Sequence, residues 1–285
     1  MADDDSNSTC HTAIPMANGD VIGLIVTTDG EYFVSSLMRL EEFPDGDEIE
    51  LAEEDRLVAD FEMLSDKHFV LAESTGSIIE VRGRDIQETA DLGTILSGIV
   101  QLEGKGLCAH GYGGRIFLRA GTDWTSLPPL RSDVTCVRVS KSGTLYATGR
   151  EGLFARLQGA QWETLDLGTN VDLRAMLVLA DGSILICGRS GFAGLWSDES
   201  FTKLSVPELD YSDLAYFKGK VFVGAGSDGL AVFEKGSFKI LKDNVFSYSL
   251  RSNEKYLAIA GNNEIVRYDG KDFPCLEFNY DLEDD

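Results

Sequence analysis

Residues 141–165 read KSGTLYATGREGLFARLQGAQWETL, and this stretch is the unit from which the chain is built. Lys141-Ser142-Gly143 is a turn that leads into a short apolar run at 144–148. Gly149-Arg150-Glu151-Gly152 hands it to a second run at 153–157, and Gln158–Ala160 hands that to Trp162-Glu163-Thr164-Leu165. Short β-favouring runs separated by glycine-containing turns predict antiparallel strands joined by hairpins.

The turn between the second and third strands supplies a period. Its closing glycine recurs at Gly76, Gly114, Gly152, Gly191 and Gly229, at spacings of 38, 38, 39 and 38 residues. Asn263 follows after 34, in a shortened unit, and Asn is the residue that next best tolerates a positive φ. Counting back 38 from Gly76 reaches Met38, where a degenerate first copy is expected. The last inward residue of the third strand follows the same period: Val81, Leu118, Leu157, Trp196, Phe233 and Tyr268. So does an apolar residue five or six positions later: Ile86, Trp124, Trp162, Phe201, Phe238 and Phe273. A further apolar run precedes each unit, at 21–26, 57–64, 99–102, 134–139, 175–179, 214–217 and 245–250. That makes four strands per unit and seven units.

Four-stranded antiparallel units repeated radially are the blades of a β-propeller. The segments GTLYATGREGLF, GSILICGRSGFAGLW and KVFVGAGSDGLAVF resemble the seven-bladed WD40/YVTN/BNR-like propeller superfamily, over roughly residues 20–278. The Gly-His and Trp-Asp signatures of true WD40 blades are absent, as is the Asp-box of sialidase-type blades, so the resemblance implies a fold and no activity. The expected architecture is all-β: a seven-bladed β-propeller at 21–278, four antiparallel strands per blade. Residues 1–20 form an N-terminal segment, of which 12–15 is expected to add a strand that helps close the ring. Residues 279–285 are an acidic tail, and 1–8 and 281–285 are expected to fray.

Composition narrows the partners. The chain has 25 basic and 48 acidic residues, a net charge of −23. Such a field repels nucleic acid and anionic membrane, and it attracts basic proteins. Five cysteines show no paired spacing, the N-terminus MADDDSNST has no secretory pattern, and no window holds 18 consecutive apolar residues. A reduced, soluble, cytoplasmic protein is expected.

In a propeller the first strand of each blade lines the central channel and the fourth lies outside. Connections between blades then share one end of the ring with the second-to-third turns. That end collects Glu53, Glu54, Asp55, Asp91, Asp133, Asp166, Asp172, Glu208, Asp210 and Asp243, and the turns add Glu73, Glu151, Asp228 and Glu264. The opposite end mixes signs. Aspartate suits loops because it accepts hydrogen bonds from nearby amides; the alternative is a ring of carboxylates that steers and docks a basic protein partner. Arg150 and Arg189, at one turn position in adjacent blades, are expected to pair with loop carboxylates or to face an anionic ligand.

No catalytic constellation stands out. Three histidines are scattered, and HExxH, paired-cysteine zinc, EF-hand, GxSxG and P-loop patterns are all missing. No enzyme activity, cofactor or metal is expected. The leading expectation is a non-catalytic, protein-binding propeller, a monomer or half of a 1:1 complex, docking a basic protein on its acidic face. Its most concrete form is an immunity-type protein that occludes a cationic toxin or effector. The alternatives are a propeller hydrolase or lyase that uses channel carboxylates on a small or sugar substrate, and a general assembly scaffold.

Overall fold

A computed structural model of the chain describes residues 7–279. Among them, each repeat folds as one antiparallel sheet of four strands hydrogen-bonded in sequence order, and there are seven such sheets. The innermost strands are Asn7–Pro15, Val58–Ser65, Leu96–Leu102, Val134–Val139, Leu173–Val178, Asp213–Phe217 and Ser249–Ser252. The expected seven-bladed propeller is the fold.

Apolar side chains from neighbouring sheets fill the space between blades. Leu24 and Leu37 of the first blade pack with Phe61, Phe69 and Leu71 of the second. Phe154 of the fourth meets Trp196 of the fifth edge-on at 5.5 Å, and Tyr211 meets Phe238 at 4.7 Å. Because each blade is covered on both faces, its second strand is buried almost throughout, and at every position in Leu145–Gly149, Ile184–Gly188 and Leu257–Gly261. That is why these strands read as unbroken apolar runs rather than alternating ones.

The repeated glycine has a steric cause. Gly152 sits at φ +67°, and a Cβ there would lie 2.1 Å from the carbonyl oxygen of Thr169. Its own N–H donates to Val171 O at 2.9 Å. Gly114 repeats this against Leu130 O, also at 2.1 Å. The period therefore marks where each second-to-third turn lies against the connection to the next blade, a contact that leaves no room for a side chain. In the shortened last unit the residue at positive φ is Asn262 (φ 23°), one position before the expected Asn263.

The first blade departs from the expected strand assignment. Its innermost strand is Asn7–Pro15; the run at 21–26, expected to be innermost, belongs to the second strand, Val21–Thr28. The third strand is Phe33–Leu40, so Met38 lies within a strand, paired with Gly23, and not at a turn. This blade has longer strands and a seven-residue connection at 41–47 containing the cis bond Phe43–Pro44, which breaks the period. Residues 7–20 are thus part of the ring, and the expected strand at 12–15 is one end of Asn7–Pro15. Asn7 and Ser8 are in strand; the rest of the expected acidic ends lies outside the described residues.

Among the described residues, no blade mixes strands from the two chain ends. The ring closes by packing the first blade on the seventh: Cys10, Ala13 and Ile25 against Ala258, Ala260 and Ile265. Cys10 N donates to Asn262 O at 2.6 Å, Asn253 Nδ2 to Pro15 O at 2.8 Å and Lys255 Nζ to Ala17 O at 2.9 Å. On the rim, Glu80 joins the second and third blades. It accepts from Arg82 (2.6 Å), Arg119 (2.5 Å) and His68 (2.8 Å). Burial opposes ionisation of Glu80, but these partners outweigh it and lower its pKa to about 2.

Candidate functional site

The topology places all twelve residues singled out in the sequence at one end of the ring, called here the loop end. Glu53 and Glu54 close the strand Glu48–Glu54, Asp91 closes Asp85–Asp91, and the other carboxylates lie in the connections between blades. They are not drawn into one cluster. Several hold the loops together instead. Asp133 Oδ1 accepts from Gly113 N at 2.8 Å, Asp172 Oδ1 from Glu151 N at 3.2 Å and Asp210 Oδ1 from Ser190 N at 2.8 Å. In each case a connection between blades is stapled to a second-to-third turn. Asp91 and Asp166 make local turns, accepting from Gly93 N and Gly168 N at 2.8 Å. Glu208 and Asp243, both exposed, make no hydrogen bond or ion pair among the described residues.

The two arginines pair as one of their expected readings has it. Arg150 lies 3.6 Å from Asp133 and over the ring of Tyr112 at 5.2 Å, and Arg189 lies 3.9 Å from Asp210. The first-blade correction changes the charge map. Asp29 and Glu31 move to the loop end, while Glu41, Glu42, Asp45 and Asp47 fall at the opposite end with Asp198, Glu199, Asp269 and Asp272. Carboxylates therefore populate both ends, and charge alone does not single out one. Exposed large apolar groups within turns and connections distinguish the loop end, whereas Ile49, Leu64, Ile86 and Tyr216, exposed toward the opposite end, lie in strands. Tyr32 (70% exposed), Ile95 (50%), Tyr248 (44%) and Tyr112 (39%) all lie in its turns and connections. Tyrosines in second-to-third turns were the signal available in the sequence, at Tyr32 and Tyr112.

A second feature is the channel, whose charged residues were not singled out in the sequence. A cavity of about 190 Å³ is lined by Asp60, Asp213, Arg138, Arg174, Arg251 and His110, among others. Arg251 bridges Asp60 at 3.4 Å and Asp213 at 3.5 Å. Asp60 also accepts from Thr12 Oγ1 (2.7 Å) and Ile99 N (3.1 Å), and Asp213 from Leu250 N (2.8 Å). These bonds stitch neighbouring innermost strands, as do Ser97 Oγ to Val134 O (2.9 Å) and Thr135 Oγ1 to Leu173 O (2.8 Å). Burial lowers the pKa of His110 to about 4 and also lowers that of His11, so both imidazoles are neutral at pH 7. The available signal was a charged residue within an otherwise apolar innermost strand: VADFEMLS, VTCVRV, LRAMLV.

Among the described residues, the group with metal-ligand spacing is Glu264, Cys275 and Glu277, whose ligand atoms lie within 4.8 Å of one another. Glu264 is already engaged by Phe246 N at 2.5 Å. No helix among the described residues is long and apolar enough to cross a membrane.

No protein-family model and no curated protein matches the sequence. Solved structures do match in shape. A structure of YCF48 bound to a D1 peptide aligns with a TM-score of 0.68 at 15% identity, over 90% of this chain and 92% of that one. The extracellular domain described as that of a one-component system from B. thetaiotaomicron aligns with a TM-score of 0.68 at 13% identity, over 90% of this chain and 37% of that one. The WD40 repeats of RRP9 align with a TM-score of 0.65 at 14% identity, over 79% and 81%. At such identities the likeness is one of fold.

Proposed function

We propose that the chain is a non-catalytic docking propeller that binds a basic protein on its loop end. The observation that carries this is the set of exposed side chains Tyr32, Ile95, Tyr112 and Tyr248 on one end of the ring, in a chain whose net charge is −23. Tyrosines set among polar loops supply contact area with little loss of conformational freedom, and they are enriched in protein interfaces. The surrounding carboxylates raise the encounter rate with a cationic surface. The YCF48 structure, solved with a D1 peptide, supports the idea that a ring of this shape can receive polypeptide. Occlusion of a cationic toxin or effector, an immunity-type role, is the concrete form such docking takes here.

The test is capture of partners from the source cell at low and high salt, followed by association kinetics with the captured protein. One dominant basic partner is expected, with an on-rate that falls steeply as salt rises. Reversing Asp55, Glu208 and Asp243 to Lys removes carboxylates that accept no hydrogen bond in the fold, and should slow association about tenfold or more. Tyr112→Ala with Tyr248→Ala should instead speed dissociation. Unchanged kinetics in both variants would reject the loop end as the docking surface.

A further inference from the structure

The lining of the channel cavity carries three arginines, Arg138, Arg174 and Arg251, against two aspartates, Asp60 and Asp213. Arg251 is held between Asp60 and Asp213. Arg138 and Arg174 come from the neighbouring innermost strands Val134–Val139 and Leu173–Val178 and line the same cavity. Among the described residues, neither has a carboxylate at ion-pair distance. Arg138 Nη1 donates only to the carbonyl of Val137, at 2.9 Å, and Arg174 makes no hydrogen bond or ion pair among the described residues. Arg174 is half-buried, and its pKa is lowered first by burial and then by Arg189. Asp172 and Asp210 act on Arg174 through space, but neither reaches it at ion-pair distance among the described residues. Half-burying two guanidiniums around one cavity is unfavourable unless an opposite charge joins them.

We propose that Arg138 and Arg174 form an oxyanion site in the channel that takes a small carboxylate or phosphate. Guanidinium groups bind both by paired, parallel N–H···O bonds, which is where Arg differs from Lys. The cavity of about 190 Å³ holds several waters, room for phosphate or a short dicarboxylic acid but not for a folded polypeptide. The site is independent of docking on the loop end and stands or falls separately.

The experiment titrates the full chain with inorganic phosphate and, separately, with succinate, in chloride buffer of fixed ionic strength, by calorimetry and by thermal unfolding. Saturable binding of one or both is expected, with a raised Tm, and the anion bound identifies the source. The Arg138→Gln/Arg174→Gln double variant should bind about tenfold more weakly or worse. Without ligand it should melt close to the parent, because relief of repulsion offsets the loss of the Arg138 bond to Val137 O. Arg174→Lys, which keeps the charge but loses the paired donors, gives a second route to the same loss of affinity should the double variant fail to fold. Binding no stronger than the chloride control, or undiminished in all variants, overturns the proposal. A double variant that folds but melts well below the parent would assign the two arginines to structure, with the same consequence.

Discussion

Asp133 separates the two roles that a loop carboxylate could play. Its Oδ1 accepts from Gly113 N at 2.8 Å and its Oδ2 lies 3.6 Å from Arg150, with the side chain 25% exposed. A hydrogen bond to a charged group contributes about 1.5–3 kcal/mol when buried, and partial exposure brings this towards the lower end. The pair with half-exposed Arg150 adds about 0–1 kcal/mol. Asp133→Ala should therefore cost about 1–2 kcal/mol, since it leaves the Gly113 amide without its partner. Asp133→Asn keeps an oxygen acceptor and removes only charge, so it should cost about 0.5–1 kcal/mol. Urea unfolding at pH 7 reads the difference as a shift in midpoint at constant slope. Equal losses in the two variants would mean that charge, not the hydrogen bond, holds the loop. No loss in either would mean that the staple contributes nothing, and the carboxylate would be free for docking.

Three other tests follow from the geometry. Gly152→Ala meets both a positive φ and the Thr169 carbonyl, whereas Gly159→Ala, at φ +61°, meets nothing within 4 Å; the second should cost about 1–2 kcal/mol and the first clearly more, by urea unfolding. Stability should fall with acid in two windows. His110 is lowered from 6.5 to about 4, so the unfolded chain takes up the proton first and stability is lost as pH falls from 6.5 towards 4. Glu80 is lowered from 4.5 to about 2, so its contribution is lost between those values; His110→Gln should make the upper window shallower, leaving the part due to His11, and should not change the lower one. Thiol labelling of the native protein should find only Cys275, and slowly, because burial together with Glu264 and Glu277 pushes its pKa up to about 11. Cys10, Cys108, Cys136 and Cys187 are buried and should react only after unfolding.

What could be read from the sequence was what repeats. The glycine at Gly76, Gly114, Gly152, Gly191 and Gly229 is fixed by one recurring backbone contact, so its spacing revealed blade number and strand order together. The first blade was misassigned because NSTCHTAIP opens with a mostly polar stretch, unlike the apolar runs around it, and because the connection at 41–47 is longer than its counterparts. Residues at the loop end were legible as positions, since topology follows from strand order. Their roles were not. Nothing in the one-letter string distinguishes Asp210, which accepts from Ser190 N, from Glu208, which accepts nothing, because the difference lies in which amide each carboxylate reaches. The channel's charged residues were not singled out for a related reason: Asp60, Asp213 and Arg251 are far apart in sequence and meet only where three innermost strands converge.

The most direct test of docking on the loop end is amide hydrogen exchange of the protein with and without its captured partner. Protection gained at the second-to-third turns and blade connections, around Tyr32, Ile95, Tyr112 and Tyr248, is the predicted result. Protection gained instead at the opposite end, around 41–47 and 269–274, or along the outer strands, would contradict it.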